Sequence, residues 1–242
     1  ITGTCIVDFT NANIKQIGGG LYLKRPSRFF KIATPATDIL NVMTTEVDDV
    51  ADLPKQCKHG YVVKVKNSES DQDDYYVKFI GQLKKGGTAT NDDDYLDGDG
   101  TWEECLAPEQ QFKFDVDTMP HQLVRKADGN FDLKPIPIAA EDVEDHLPQW
   151  EEAKVGTTGV NGTNPQPSFV GKTINNMLFW RNRLIILSDE NVIMSKPGDF
   201  FNFWYKSAIA FSDIDPIDIS CSSEYPAIIY AGIQTNAGLV LF

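Results

Sequence analysis

The densest run of chemistry-bearing side chains is Asn91-Asp92-Asp93-Asp94-Tyr95-Leu96-Asp97-Gly98-Asp99-Gly100, followed closely by Glu103 and Glu104. Oxygen ligands spaced around a glycine are what a calcium loop uses, with ligands at positions 1, 3, 5, 7, 9 and 12 and glycine at 6. With Asp93 in the first position, Asp97 falls fifth, Gly98 sixth, Asp99 seventh and Glu104 twelfth, but Tyr95 stands third. One side-chain ligand is missing, and the flanks read as strand and loop rather than two helices. A solvated acidic turn is therefore the stronger expectation, with Asp93, Asp97, Asp99 and Glu104 kept as calcium candidates beside it.

Other chemistries fail on spacing. A phosphate loop of the form G-x-x-x-x-G-K-[ST] needs a glycine five positions before its second one, ahead of a helix. Gly171-Lys172-Thr173 supplies the end of that pattern, but Gln166 stands where the first glycine must, and a strand-like run follows. Gly18-Gly19-Gly20 leads into Leu21 without the helix of a dinucleotide fold. No G-x-S-x-G elbow occurs, and His59, His121 and His146 have no nucleophile partner at a recognisable spacing. Glycoside hydrolysis needs two carboxyl groups across one cleft, roughly 5–10 Å apart. Adjacent Glu103 and Glu104 would point to opposite faces of a strand, while Glu151 with Glu152, or Asp142 with Glu144, fall in a segment that reads as a linker. The sequence nominates no catalytic residue and no cofactor.

The aromatic run Phe200-Phe201-Asn202-Phe203-Trp204-Tyr205 could stack bases or sugars, but that use needs an electrostatic funnel, and only Asp199 and Lys206 flank it. Phe200, Phe201, Phe203, Trp204 and Tyr205 are expected to pack in a core or at a subunit interface. Cys5, Cys57, Cys105 and Cys221 form no CxxC pair and read as buried, reduced thiols of a protein assembled in a reducing cytoplasm. Asn161-Gly162-Thr163 is a formal glycosylation sequon with no secretion signal to give it meaning.

Composition narrows the classes further. The chain has 242 residues, 22 basic and 35 acidic, for a net charge of −13. At roughly 100–200 residues per domain, one large domain or two modest ones are expected. Gripping phosphates takes a basic surface, so tight nucleic-acid binding is excluded as the default. No run of 18 apolar residues is present to span a bilayer, and the first residues lack a signal-peptide pattern. The chain opens on Ile1 and stops at Leu239-Val240-Leu241-Phe242, which reads as a strand still needing a partner and suggests a portion of a longer protein. The charge is concentrated: residues 69–118 hold 4 basic and 14 acidic side chains.

The elements that must position these groups are mostly strands. Tyr61–Lys66 and Tyr75–Ile80 are β-branched or aromatic and alternate in part with Lys, as in an antiparallel hairpin, and Thr101–Leu106 follows as a third strand. Between them, 69–74 and 91–100 read as solvated loops. Further strands are expected at Thr4–Phe9, Leu21–Leu23 and Phe29–Ile32, and one short helix over 45–53 behind a Thr cap and ahead of Pro54. Ala127-Asp128-Gly129-Asn130 turns a hairpin between 121–125 and 131–134. Met177–Trp180, Arg183–Leu187 and Val192–Ser195 form a meander of the propeller or barrel kind. The expected architecture is mostly β: a β-rich domain over 1–118 with its acidic loops, a hairpin segment at 119–140, a linker at 141–166, and the start of a propeller-like domain at 167–242.

Thr118-Met119-Pro120-His121-Gln122-Leu123-Val124-Arg125, Phe179-Trp180-Arg181-Asn182-Arg183-Leu184, Ser188-Asp189-Glu190-Asn191-Val192, Phe201-Asn202-Phe203-Trp204 and Ser212-Asp213-Ile214-Asp215-Pro216 resemble, in order and spacing, tail tubular protein B of short-tailed bacteriophages, the nozzle protein of the podovirus tail. The similarity is strongest from about residue 118 onward, thinner at 52–54, 60–65 and 75–78, and slight over 1–40. The loop at 82–100 has no counterpart in that pattern.

The resemblance implies a structural virion protein assembled in the bacterial host cytoplasm. It implies a homohexameric ring below the adaptor (gatekeeper) protein, near the tail fibres, with double-stranded DNA passing through during ejection without tight binding. The family's chain is much longer and carries a β-propeller-like domain. A second reading is a glycan-binding or glycan-cleaving host-receptor module, for which no motif here speaks.

Overall fold

A computed structural model describes residues 45–66, 73–139, 147–159, 161–221, 225, 227–236 and 238–242, together with the backbone of three strands between 14 and 31. The chain is mostly β and divides into two compact units, 1–105 and 106–242.

In the first unit, Ile14–Ile17 (β1), Gly20–Arg25 (β2) and Arg28–Lys31 (β3) form an antiparallel sheet in sequence order. β2 and β3 stand where the sequence expects strands, β1 is additional, and the strand expected at Thr4–Phe9 lies outside the described residues. A five-stranded sheet follows from Glu46–Val47 (β4), Gln56–Cys57 (β5), Val62–Val65 (β6), Tyr75–Leu83 (β7) and Tyr95–Cys105 (β8), in the order β4-β6-β7-β8-β5. Alternation in β7 buries Tyr75, Val77 and Phe79 on one face, against Val63 and Val65 from β6. Phe79 meets Trp102 edge to face at 5.2 Å, and the Trp102 indole donates to the Pro54 carbonyl at 2.9 Å. Lys64 pairs with buried Asp74 at 2.7 Å.

Two expectations are corrected here. The helix expected over 45–53 is a two-residue strand, β4, which pairs in parallel with β6, and then a single 3-10 turn at Val50–Asp52 capped by Asp49. Only eight residues lie between Thr45 and Pro54, too few for a helix of useful stability, and pairing with β6 buries Val47 instead. The acidic stretch read as a loop at 91–100 is largely strand: β8 starts at Tyr95 and pairs with both β7 and β5. Ladder hydrogen bonds are made by the backbone and do not read side-chain charge. The carboxylates find donors nearby, Asp97 from the His59 amide at 2.8 Å and Asp99 from the Gln56 side chain at 2.6 Å. At Gly100, opposite Gly81, a Cβ would collide with the Ile80 carbonyl and the Phe79 ring.

The second unit carries His121–Arg125 (β9) and Phe131–Pro135 (β10) as a two-stranded hairpin, with Gly129 at positive φ in its turn. Ile174–Trp180 (β11), Arg183–Ser188 (β12), Asn191–Met194 (β13) and Ile217–Ser220 (β14) form a four-stranded antiparallel meander. Arg181 and Asn182, both at positive φ, make the two-residue turn between β11 and β12. Gly232–Gln234 (β15) pairs with Leu239–Leu241 (β16).

Every residue of β12 is buried, because this strand is covered on both faces. Leu184, Ile186 and Ile193 pack into an aromatic cluster of Phe114, Trp150, Phe169, Phe203 and Trp204. Ile185, Leu187 and Val192 pack on the opposite side against Ile229, Leu239 and Leu241. Residues 147–159 and 161–166, whose composition suggested connecting chain, carry buried Trp150, Ala153, Val155 and Asn164 into this structure.

Trp150 is fully buried, with its ring edge-on to Phe114 at 5.5 Å and Phe201 at 5.1 Å, and its indole N–H has no hydrogen-bond partner among the described residues. Trp150→Ala is expected to cost about 3–5 kcal/mol in urea denaturation. Trp150→Phe is expected to cost clearly less, since it also removes the unpaired donor. In the acidic arm, Asp94 accepts from the Thr88 amide at 3.0 Å and its hydroxyl at 3.2 Å, and the Thr88 amide bond chiefly holds its carboxyl below the ordinary value. A depressed carboxyl stabilises the folded arm above the ordinary value, roughly pH 4, and that contribution is lost as pH falls through the lowered one. The Thr88 amide proton shift, followed by NMR from pH 6 to pH 2, is expected to report this loss at the acid end.

Candidate assembly surface

Arg183 opens β12 with its side chain buried. Its Nη1 donates to the carbonyls of Ser195 and Asp215, each at 2.7 Å, and its Nη2 donates to the Asp213 carbonyl at 2.7 Å. Three charge-assisted bonds from one rigid fork tie together both ends of the segment 195–216, which returns from β13 to β14. Asp215, also buried, accepts from the Ser212 amide at 2.8 Å, the Ser212 hydroxyl at 3.2 Å and the Lys206 amide at 3.3 Å. Asn164 clamps the same segment from another part of the chain. Its Oδ1 accepts from the Tyr205 amide at 2.9 Å, and its Nδ2 donates to the carbonyls of Val155 at 2.9 Å and Tyr205 at 3.3 Å.

This fixed backbone presents apolar side chains to solvent. Ile209, Phe211 and Ile214 are exposed, Phe211 by 74%, and the Phe211 ring stands edge-on to Tyr205 at 5.4 Å. Burial, then the charges of Asp218 and Asp215, push the Tyr205 phenol up, so it stays neutral near pH 7. Rigid aromatic side chains on a preorganised loop lose little entropy when covered, which is the character of an interface anchor. A second exposed apolar face lies on the β9–β10 hairpin, where Leu123 stands opposite Leu133 with Phe131 beside them.

The structure divides the aromatic run among several roles. Phe203 and Trp204 are in the core, where Trp204 donates to the Glu151 carbonyl at 2.8 Å. Phe200 and Phe201 are half-buried against that core, and Tyr205 carries the run out toward Phe211. The calcium candidates are not brought together: Asp97 and Asp99 serve the β5–β8 contact, the Asp93 carbonyl accepts from the Lys84 ammonium, and Glu104 sits opposite Val77. Among the described residues, no three His, Cys, Asp or Glu side chains cluster as a metal site. His59 stacks on Tyr95 at 4.0 Å and accepts from the Gly81 amide at 3.1 Å through Nδ1, while His121 Nδ1 lies 2.9 Å from the Met119 carbonyl. Lys172 closes a turn ahead of β11 and lies 3.8 Å from Asp189. His146, Asp142, Glu144 and Cys5 lie outside the described residues.

Sequence reasoning missed Arg183, Asn164 and Asp215. An arginine after a turn looks solvent-facing, and Asn164 stands in a stretch of Gly, Asn, Thr and Pro. Only Ser212-x-x-Asp215-Pro216 carried a local signal, that of a side-chain-capped turn.

The model of the bacteriophage nozzle protein family matches residues 4–242. The chain belongs to that family. Tail tubular protein gp12 of Escherichia phage T7 is 34% identical to it over 208 residues, which cover 86% of this chain and 22% of the T7 protein. The chain therefore spans about a fifth of the length of the curated relative it matches. In this nozzle-family chain, the exposed apolar residues sit on a backbone held by buried polar groups, so the two can be tested separately.

Asn164→Ala is expected to cost about 2–4 kcal/mol, since it strands the Tyr205 amide and the Val155 carbonyl. Phe211→Ser is expected to leave the melting midpoint of the chain nearly unchanged; calorimetry on both variants separates the clamp from the displayed surface. Burial raises the Cys105 thiol to about 11, against a smaller opposing effect of Lys78. Its alkylation by iodoacetamide at pH 8 is expected to run at least about tenfold slower than that of an ordinary exposed thiol, as read by peptide mass spectrometry.

Proposed function

We propose that this chain belongs to a structural virion protein that forms a ring in the phage tail and extends the DNA-ejection channel below the adaptor. The observation that carries this reading is the family match along nearly the whole chain, residues 4–242. The name of the T7 relative, a tail tubular protein, supports it.

The fold suits the task. A meander, β11–β14, whose strand β12 is buried on one face by an aromatic cluster and on the other by the β15–β16 layer has the layering of neighbouring propeller blades, and we read 167–242 as the start of such a domain. The exposed anchors Ile209, Phe211 and Ile214 suit contacts with other copies or with the adaptor and fibre proteins. A conduit must also let go of DNA. Basic walls would hold phosphates through counterion release, whereas the acidic β7–β8 arm repels them, so we assign that arm to surface facing the DNA path.

Electron microscopy of the purified full-length protein is expected to show homohexameric rings. Those rings are expected not to retard double-stranded DNA in gel shifts at about 150 mM salt. A stable monomer at micromolar concentration would overturn the ring, and sequence-independent DNA binding at that salt would overturn the repelling wall.

A further inference from the structure

Among the described residues, β14 is the outer strand of its sheet. The Cys221 amide donates to the Glu190 carbonyl at 2.9 Å, which fixes the alternation of bonded pairs along the β13–β14 ladder. Residues 219 and 217 then bond to β13, while Asp218 and Ser220 turn their N–H and C=O groups away from it. The two faces of this edge differ. Ile217 and Ile219 expose an apolar face, whereas Asp218 and Ser220 border a cleft of about 730 Å³ that Asn191 and Tyr205 also line. Asn191 is buried, and it lines the cleft beside Ser220, its partner across the ladder. An edge strand with open backbone groups and an exposed apolar face is built to accept another strand.

The β9–β10 hairpin has the complementary pattern. It forms a two-stranded sheet by itself, an arrangement of marginal stability unless something covers it. One face carries exposed Leu123, Phe131 and Leu133, and the other carries Gln122, Val124, Asp132 and Lys134. Laid beside β14, its apolar face continues that of Ile217 and Ile219, and Lys134 comes to the side of Asp218, an opposite-charge cross-strand pair.

We propose that the β9–β10 hairpin of one copy of the chain adds edge-on to β14 of a second copy, extending the four-stranded sheet to six strands across the subunit boundary. This rests on the ring reading for the proximity of the two copies, and it adds the contact that joins them. A heterologous contact of this kind, hairpin to edge, leaves each copy with one donor and one acceptor and so propagates around a closed ring.

The test uses full-length protein in which Phe131→benzoylphenylalanine is co-assembled with isotopically heavy wild-type chain and irradiated. Mass spectrometry is expected to join the light hairpin peptide to the heavy 213–221 peptide. Hydrogen exchange is expected to slow at least about tenfold at the Asp218 and Ser220 amides on assembly. Leu133→Asp, at a site exposed in the single chain, is expected to abolish both signals without moving the melting midpoint of the unassembled protein. Intact rings with cross-links confined to one copy or directed elsewhere, or with fast exchange at both amides, overturn the proposal and leave the ring standing. Heavy–light cross-links at 213–221 without closed rings support the contact and overturn the ring. Absence of both rings and cross-links overturns both.

Discussion

β12 has no face that water can reach. Leu184 and Ile186 point into the aromatic cluster, and Ile185 and Leu187 point into the layer formed with β16. A strand of this kind stabilises the fold only when both layers are present, so the aromatic run at 200–205, Trp150 and the closing β15–β16 hairpin all answer to the same demand. Full burial of each large aliphatic side chain contributes about 1.5–3 kcal/mol, and β12 supplies four of them from Leu184 to Leu187.

That double-sided burial creates a problem for polar groups at the ends of the strands, and three side chains resolve it. Arg183 satisfies carbonyls of 195, 213 and 215, Asn164 bridges 155 and 205, and Asp215 gathers amides of 206 and 212. Buried polar atoms are costly when unpaired and specific when paired, so the long return between β13 and β14 has a defined path without regular structure. The exposure of Phe211 follows from that definition, because a loose loop would fold such a ring inward.

Much of the strand content was legible because it rests on local pattern. The alternation of Tyr75 to Phe79, the Asp128-Gly129 turn and the apolar runs at 177–180, 183–187 and 192–195 each carry their structure within a few residues. Strand β14 was not legible, since Ile217-Asp218-Ile219-Ser220 is short and lies far from β13 in sequence. The acidic part of β8 was hidden because its pairing is backbone-made and its carboxylates are met by donors from residues 56 and 59. The same limit applies to the surface: Phe200 to Tyr205 announce packing by composition, but which ring is core and which leads outward depends on Asn164, forty-one residues from Tyr205. Family membership was legible because order and spacing of motifs survive where individual contacts cannot be read.

The four tryptophans are divided unequally between the two units. Trp102 is the single indole of unit 1–105 and sits against Phe79, whereas Trp150, Trp180 and Trp204 belong to unit 106–242. Trp150 and Trp204 lie in one dry aromatic cluster, and Trp180 lies beneath the Arg181 guanidinium at 4.6 Å. Ultraviolet emission from this chain is therefore dominated by the second unit, and replacing Trp102 alone with phenylalanine makes fluorescence a nearly pure reporter of whether that aromatic cluster is closed.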